Sequence, residues 1–350
     1  MLTLQKCARH PPGNGFCADR RAGLLLEGET ERRNLLTASE PFDEESVMSR
    51  HIMGIDFGST TAKAVIVDLN GQIVAAHVAQ MGAVSDLAVK QAVSAVLSES
   101  GLTQKDIRRT VSTGYGRRML DIADKNFTEI TCHARGAIAM LPKTRLVIDI
   151  GGQDSKVIAV DKTGLVIQFA MNDRCAAGTG KFLEVLARAM EIPIGDMGGV
   201  ALQATKDLKI SSMCATFAET EVIALRAEGH SKADVLGAAH AAIANRTLGL
   251  VGRVGKRSPV AMTGGVARNS AAVHYIERAL GMSVTLPSRP QIAGALGAAL
   301  IGLDDYRAEL TNIRGLPEDL ELDGQITSGK GCDPACKGGR GIPPTGASRP

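Results

Sequence analysis

One segment of the sequence recurs after 93 residues, and this repeat constrains the fold more strongly than any other feature. IMGIDFGSTTAKAVIVDLNGQIVAAHVA begins at position 52, and RLVIDIGGQDSKVIAVDKTGLVIQFA, which begins at position 145, aligns with it without a gap. The identities include an aspartate and a lysine in each copy, Asp56 with Lys63 and Asp149 with Lys156. Solenoid repeats are only about 20–50 residues long. The chain is therefore predicted to contain one domain-sized α/β unit twice.

Each copy reads as a strand, a glycine-rich loop, a strand, a turn and a third strand. The turn of the first copy is Asn70-Gly71, a dipeptide typical of β-hairpins. A glycine-rich loop lets backbone N–H groups approach a phosphate closely, because no Cβ atom intervenes. Two such loops across a cleft would bind a polyphosphate from both sides, with Asp56 and Asp149 holding a hydrated Mg²⁺ ion. The alternative reading, two ordinary hairpin turns, stays open.

A third glycine-rich turn follows later in the chain. In SPVAMTGGVARN, the pair Gly264-Gly265 stands between a buried strand and a helix, which indicates close backbone approach to a nucleotide from another direction. The following segment QIAGALGAALIGL predicts a small-residue helix suited to close packing at a domain junction. Between the two copies of the repeat, the turn STGYGR contains Arg117, for which we favour a solvated side chain over an anion contact.

Two cysteines occupy similar contexts in the second half of the sequence. Cys175 in MNDRCAAGTGKFLEV and Cys214 in ISSMCATFAETEVI each precede a run with helical apolar spacing, so each thiol is predicted at a helix N-terminus. Neither belongs to a C-x-x-C pair, and an iron–sulfur cluster takes four thiolates. Two thiols per chain would supply half of a cluster, which a two-fold homodimer would complete. Buried structural cysteines are the alternative.

Three further cysteines carry less information. Cys132 and His133 are adjacent on a predicted helix, where they point about 100° apart and make poor joint ligands, so core packing is predicted for both. Cys332 and Cys336 lie in a Gly/Pro-rich tail that is predicted to be disordered, and a weak metal site on this pair is the alternative.

Composition excludes several classes of function. The net charge of +3 is spread along the chain, and aromatic residues make up only 3% of it, so a nucleic-acid partner is not expected. No apolar run approaches the roughly 20 residues that span a bilayer. The predicted location is therefore cytoplasmic. The first 47 residues lack a sustained pattern, and either Met48 or Met53 is a candidate for the true start of translation.

The motifs together resemble a known family. GIDFGSTTAK, STGYGR, DIGGQDSKVI, MNDRCAAGTGKFLEV, ISSMCATFAETEVI and MTGGVARN are similar to segments of the ATP-dependent activators of 2-hydroxyacyl-CoA dehydratases. The wider family includes the ATPase subunits of benzoyl-CoA reductase, and the resemblance covers roughly residues 53 to 301. It implies two RNase H-like domains of the actin/hexokinase/heat-shock-chaperone ATPase type. It also implies a homodimer bridged by one [4Fe–4S] cluster on Cys175 and Cys214 of each subunit.

The resemblance divides the chain and assigns roles to the candidate residues. Asp56 and Asp149 would position Mg²⁺, while Gln153 or Asp154 would orient the hydrolytic water. The residues expected to hold ATP are Gly58, Ser59, Thr60, Lys63, Gly151, Gly152, Gly264 and Gly265, with Lys63 and Lys156 pointing either inward to phosphate or outward. The expected segments are a disordered extension (1–47), two ATPase subdomains (48–145 and 146–290), a junction helix packing back on the first subdomain (291–303) and a disordered tail (304–350).

The implied function is ATP-driven transfer of one electron from reduced ferredoxin or flavodoxin, through the cluster, to a 2-hydroxyacyl-CoA dehydratase. The first alternative is an ATPase subunit built stably into a benzoyl-CoA reductase. A second is a small-molecule kinase on the same fold, although we identify no carboxylate base for it. A nucleotide-dependent sensor or scaffold is the non-enzymatic alternative.

Overall fold

The computed structural model describes residues 51–81, 86–172, 176, 178–210 and 215–314. Several sequence-based predictions lie outside these residues: the extension 1–47, the tail beyond Arg314, and Cys175, Cys214, Cys332 and Cys336.

The first copy of the repeat opens a five-stranded sheet. Its strands are β1 (His51–Phe57), β2 (Thr61–Val67), β3 (Ile73–Gln80), β4 (Ile107–Thr113) and β5 (Lys125–Asn126). Their order across the sheet is β3-β2-β1-β4-β5. The first three strands run antiparallel, whereas β4 is parallel to β1 and β5 is parallel to β4.

The second copy opens a sheet of the same design. Its strands are β6 (Leu146–Ile150), β7 (Ser155–Val160), β8 (Val166–Asn172), β9 (Val260–Thr263) and β10 (Val284–Thr285). They follow the order β8-β7-β6-β9-β10. In the first sheet Asp56 pairs with Lys63, and in the second Asp149 pairs with Lys156. The gap-free sequence repeat therefore corresponds to the same pairing of the first two strands in both sheets.

The turns between the second and third strands of each copy are also equivalent. Gly71 has φ +82° and Gly164 has φ +90°, a backbone region that favours glycine. The side chain of Asp68 accepts a hydrogen bond from Asn70 N at 2.9 Å, and Asp161 accepts one from Thr163 N at 2.8 Å. The predicted Asn70-Gly71 turn is confirmed.

Eight α-helices connect and cover the sheets within the residues that the structure describes. They are α1 (Asp86–Ser100), α2 (Glu129–Met140), α3 (Gly180–Ala189), α4 (Met197–Ala201), α5 (Ala215–Ala227), α6 (Lys232–Val254), α7 (Ser270–Leu280) and α8 (Ala293–Arg314). Side chains of Thr128, Ser231 and Asn269 cap the starts of α2, α6 and α7 by accepting backbone N–H bonds. No helix in the described ranges has both the length and the apolar character needed to cross a membrane.

Alternating residues of each sheet pack against different helices. In the first sheet, one set of residues, including Met53 and Ile55, packs on α1, and the other, including Ile52, packs on α8. In the second sheet, Ile148 packs in a core formed with α3, α6 and α7, whereas Val147 packs on α2. The two-residue period of a strand separates these two faces. Asp56 lies four residues after Ile52, and Asp149 lies two residues after Val147, so each aspartate is on the same face of its sheet as that residue. Both carboxylates therefore face the central helices α2 and α8.

Helices α2 and α8 cross at glycines. A Cβ atom at Gly136 would overlap the carbonyl oxygen of Ala293, and one at Gly297 would overlap the carbonyl oxygen of Cys132. Gly54 on β1 likewise leaves no room for a side chain beneath the backbone of α8. The small residues of this segment therefore permit backbone-to-backbone packing, as the sequence predicts for a junction helix.

Helix α8 extends beyond the predicted junction helix 291–303. It continues to Arg314, and its last turns bear charges that pair with the first sheet. Arg109 donates to Glu309 at 2.6 Å, and Lys125 donates to Asp305 at 2.9 Å. Apolar contacts continue beside these ion pairs, since Tyr306 is buried and Leu310 packs on the same core. The division into subdomains at position 145/146 stays a prediction.

Candidate functional site

A cavity of about 400 Å³ lies where the loops of the two sheets meet. Residues from both copies of the repeat and from the third glycine turn line it. From the predicted set these are Asp56, Gly58, Ser59, Thr60, Lys63, Asp149, Gly151, Gly152, Asp154, Lys156, Gly264 and Gly265. Gln153 is exposed and is not among the lining residues. The structure thus brings together the candidate phosphate-binding residues but leaves Gln153 outside the cavity wall.

The two glycine-rich loops have the same internal hydrogen bond and approach each other closely. Gly58 N donates to Thr61 O at 3.2 Å, and Gly151 N donates to Asp154 O at 2.9 Å. A Cβ atom at Gly152 would overlap the hydroxyl of Thr60, so the loops come together only because this position is glycine. Backbone from both copies therefore surrounds one small volume.

The third glycine-rich turn, Gly264-Gly265, packs closely on the second sheet. Gly264 has φ +87°, and any Cβ atom there would overlap the carbonyl oxygen of Ile150. Gly114 occupies the matching place in the first sheet, with φ +93° against the carbonyl oxygen of Phe57. The repeat thus extends to the ends of β4 and β9. Arg117 is half-buried and its guanidinium donates to Gly114 O at 3.1 Å, so it stabilises this turn, and the prediction of a solvated side chain is wrong.

The first buried carboxylate has one close lysine partner. Asp56 is buried, and Lys63 Nζ donates to its Oδ2 at 2.9 Å. Burial alone would raise the pKa of Asp56, but Lys63 and other nearby cations outweigh burial and hold this pKa below its usual value. Lys63 points inward, because its ammonium lies beside Gly58 in the loop.

The second buried carboxylate is held from several directions. Thr263 Oγ1 donates to Asp149 Oδ1 at 2.7 Å, and His133 Nδ1 lies 3.1 Å from the same oxygen. Lys156 Nζ lies 3.6 Å from Asp149 Oδ2. Burial would raise the pKa of Asp149, but His133 and Lys156 hold it well below its usual range. Burial would lower the pKa of His133, and Asp149 raises it overall.

Lys156 is the centre of a buried ionic cluster. Its side chain is 3% exposed and contacts three carboxylates: Glu129 at 2.9 Å, Asp149 at 3.6 Å and Asp154. Burial would lower the pKa of Lys156, but these carboxylates raise it well above the usual value. The ammonium therefore stays charged, and of the two orientations left open by the sequence, the inward one is found for both lysines.

Glu129 and His133 are cavity residues that sequence reasoning missed. They stand four residues apart on α2, so they share one face of that helix, and both line the cavity. The prediction of core packing holds for Cys132, whose burial raises the pKa of the thiol to about 12. For His133 it is wrong, since the imidazole faces Asp149. The four-residue spacing of two ionisable residues at the start of a helix was the available signal.

The second loop is also bonded to the start of α3. Gly180 N donates to Gly151 O at 2.9 Å, and Lys181 N donates to Gly152 O at 2.7 Å. The hydroxyl of Ser155 donates to Gly178 O at 2.9 Å. These bonds tie the second loop to Gly178 and to the first two residues of α3.

The donor chemistry of the cavity suits a hard cation. Asp56 and Asp149 are ionised carboxylates, and Mg²⁺ is commonly held by one or two carboxylates together with substrate phosphates and water. Within the described ranges, no group of three or more His, Cys, Asp or Glu residues forms a metal site by itself. Cys175 and Cys214 lie outside those ranges. In the chain, α3 begins at Gly180, five residues after Cys175, and α5 begins directly after Cys214.

We expect the melting temperatures of the wild type and an Asp149→Asn variant to differ most near pH 7. Because the folded-state pKa of Asp149 is lowered, its ionised form stabilises the fold above the unfolded value of about 3.9. This contribution is lost as the pH falls toward the folded value, so the difference should shrink below about pH 4. Calorimetric melts between pH 3 and pH 7 would measure it.

The control is Asp304→Asn, which removes an exposed ion pair with Arg135. Surface pairs contribute only about 0–1 kcal/mol, so this variant should follow the wild type at every pH. A difference for Asp149→Asn that does not change with pH would contradict the assignment of this carboxylate.

The two sheets of equivalent topology define a fold of the actin/hexokinase ATPase type. The solved structure of the activator of the 2-hydroxyisocaproyl-CoA dehydratase from Clostridium difficile, with bound ADPNP, matches with a TM-score of 0.72 at 38% identity. The match covers 76% of this chain and 99% of that one. The predicted fold class is confirmed.

Residues 53–302 match the BadF/BadG/BcrA/BcrD ATPase family, and the chain belongs to this family. The 2-hydroxyisocaproyl-CoA dehydratase activator of Clostridioides difficile is 39% identical over 76% of this chain and 100% of its own length. The activator of lactoyl-CoA dehydratase of Anaerotignum propionicum is 45% identical over 71% and 96%. A benzoyl-CoA reductase subunit of Thauera aromatica is 35% identical over 61% and 77%. The family resemblance read from the motifs is confirmed.

Proposed function

We propose that this protein is a cytoplasmic, homodimeric ATPase that drives one-electron transfer from reduced ferredoxin or flavodoxin to a 2-hydroxyacyl-CoA dehydratase. The observation that carries the nucleotide part is the cavity between two equivalent glycine-rich loops, each next to a buried Asp–Lys pair. The activator relatives, which align over nearly their whole length, support the dehydratase as the acceptor.

The phosphates of ATP are proposed to lie between the two loops. Asp56 and Asp149 would hold a hydrated Mg²⁺, while Ser59, Thr60 and the loop glycines contact phosphate oxygens. Lys63 is half-buried beside the first loop and has room to reach a phosphate, whereas Lys156 is bound among carboxylates. Gly264 and Gly265 would lie beneath the adenosine.

Asp154 is the better placed of the two residues proposed to orient the hydrolytic water. It lines the cavity and is buried, and its contact with Lys156 fixes the carboxylate. Gln153 is the neighbouring side chain in the same loop but is exposed.

The thiolates of Cys175 and Cys214 of both subunits are proposed to hold one [4Fe–4S] cluster. When bound, the cluster would supply a one-electron redox centre. The bonds that tie Gly151, Gly152 and Ser155 to the start of α3 support coupling, since a nucleotide-dependent shift of the loop would move the segment that follows Cys175. Loop and cysteine segment would thus respond to ATP together.

Anaerobic purification followed by iron analysis tests the proposal. We expect about two iron atoms per chain, a broad visible absorption band and ATP hydrolysis. A Cys175→Ser variant should lose its iron yet still bind ATP. Cys132→Ser is the matched control: Cys132 packs in the core, so this variant should keep its iron.

Two results would contradict the proposal. Full retention of iron by Cys175→Ser would reject the ligand assignment. Colourless wild-type protein that phosphorylates a small molecule would instead support a kinase on the same fold.

The alternative, an ATPase component of benzoyl-CoA reductase, is favoured by the relative from Thauera aromatica. Such a component would be isolated from its native host in a stable hetero-oligomer. A dehydratase activator would be isolated as a homodimer, so the mass of the purified native complex distinguishes them.

A further inference from the structure

We propose that His133 is a positioning residue that orients the Asp149 carboxylate for a hydrated Mg²⁺ ion in the cavity. The inference rests on the proposed nucleotide function and adds a role that neither the repeat nor the glycine-rich motifs assign. His133 acts through Asp149 and does not itself contact the ion.

The two oxygens of Asp149 have different surroundings. Oδ1 accepts a hydrogen bond from the hydroxyl of Thr263 at 2.7 Å. His133 Nδ1 lies 3.1 Å from the same oxygen, which is an ion-pair distance without the alignment of a hydrogen bond, and this buried nitrogen has no other partner among the described residues. The closest charge on Oδ2 is Lys156 Nζ, which lies farther away at 3.6 Å. Contacts at Oδ1 therefore fix the plane of the carboxylate and leave Oδ2 the better placed oxygen for a metal-bound water. Such outer contacts commonly decide how a carboxylate binds a metal.

The imidazole is itself confined by the central helices. A Cβ atom at Gly294 of α8 would lie 2.9 Å from His133 Nε2 and 3.0 Å from Asp56 Oδ2. His133 Nε2 and the Asp56 carboxylate therefore both border the position that a side chain at Gly294 would occupy. His133 is 7% exposed, so the ring has little freedom to leave this place.

His133 also lies near the buried carboxylates of both copies of the repeat. Asp56 belongs to the first sheet and Asp149 to the second; His133 Nδ1 lies beside Asp149, and its Nε2 borders the same Gly294 backbone as the Asp56 carboxylate. The Nδ1–H donor is present in the imidazolium and in one neutral tautomer. The same ring therefore holds Asp149 in place.

Two amide variants distinguish the roles of the two ring nitrogens. In His133→Asn the side-chain amide can take the place of Nδ1, whereas in His133→Gln it reaches the place of Nε2. The measurement is the Mg²⁺ concentration that gives half-maximal binding of ADPNP, followed by calorimetry. We expect it to rise about 10–100-fold in His133→Ala and His133→Gln, but to stay close to the wild-type value in His133→Asn.

Two further measurements complete the test. ADPNP binding is also measured without Mg²⁺ for each variant, because His133 lines the cavity and its loss changes the charge there; the Mg²⁺ requirement is then compared as the ratio of binding with and without the ion. Thr263→Val removes the other contact to Oδ1 and should also raise the Mg²⁺ requirement. Melting curves verify that each variant folds. If His133→Ala is unfolded, the Mg²⁺ requirements of His133→Asn and His133→Gln alone test the proposal.

Equal Mg²⁺ requirements in the wild type, His133→Asn and His133→Gln would overturn the proposal. A wild-type Mg²⁺ requirement in His133→Gln but not in His133→Asn would also overturn it, because the position of Nε2, and not that of Nδ1, would then be the important one. Failure of the wild type to bind ADPNP with Mg²⁺ would refute the proposed nucleotide function instead.

Discussion

Substitution of Lys156 by methionine will lower the free energy of unfolding by about 3–5 kcal/mol at pH 7. Lys156 is 3% exposed and is the shared partner of Glu129, Asp149 and Asp154. Methionine has a similar length but no charge, so the variant would leave carboxylates buried without their cation. Removal of one partner of a buried ion pair is costly for this reason, even where the intact pair contributes little.

The size of the effect depends on pH in a defined direction. Without Lys156 the buried carboxylates would bind protons more readily, and protonation removes the uncompensated charge. The stability difference between the variant and the wild type should therefore shrink between pH 7 and pH 5. At pH 7 the melting temperature should fall by roughly 6–20 °C for a chain of this size.

Lys125→Met is the matched control. Lys125 Nζ lies 2.9 Å from Asp305, the same distance as from Lys156 to Glu129, but its side chain is 45% exposed. Because solvent screens exposed pairs, this variant should lose at most about 1 kcal/mol. Equal melting temperatures for the two variants would show that the buried cluster has no special contribution to stability.

Substitution of Gly297 by alanine will destabilise the fold by on the order of 1–3 kcal/mol. The added methyl group would overlap the backbone carbonyl of Cys132, so the backbones of α2 and α8 would have to separate. Since both buried aspartates face these helices, their separation should also weaken nucleotide binding. Thermal melts and calorimetric titration with ADPNP would measure the two effects.

Gly252→Ala on α6 is the control for this substitution. No atom lies within 4 Å of the Cβ position at Gly252, and alanine favours a helix over glycine by about 0.8–1.0 kcal/mol. This variant should therefore be as stable as the wild type or more so. If both substitutions stabilised the protein, the close crossing of α2 and α8 would be disproved.

The sequence predicts the repeated hairpins and the cavity residues well because their chemistry is local. Gly71 and Gly264 have positive φ values, and the Asp–Lys pairing follows from the alternation along adjacent strands. These features need no knowledge of distant parts of the chain. The 93-residue repeat then indicates that the two copies face each other across a cleft.

The residues that sequence reasoning missed depend on tertiary contacts. His133 looks like any buried helical histidine until α2 is placed against the second sheet, next to Asp149. Glu129 likewise acquires its role from Lys156, on a strand that follows it in the chain. The end of α8 at Arg314 was missed because, of the residues beyond Leu303 whose burial the structure describes, only Tyr306 and Leu310 continue the apolar packing, and ion pairs with the first sheet accompany them.

The packing of α2 and α8 makes the two halves of the chain depend on each other. Helix α2 follows the strands of the first sheet but covers the second, and α8 follows the strands of the second sheet but covers the first. Each half of the chain thus supplies one helix that covers the sheet of the other half. Neither half would bury the apolar faces of its sheet by itself, because one of the helices that cover that sheet belongs to the other half.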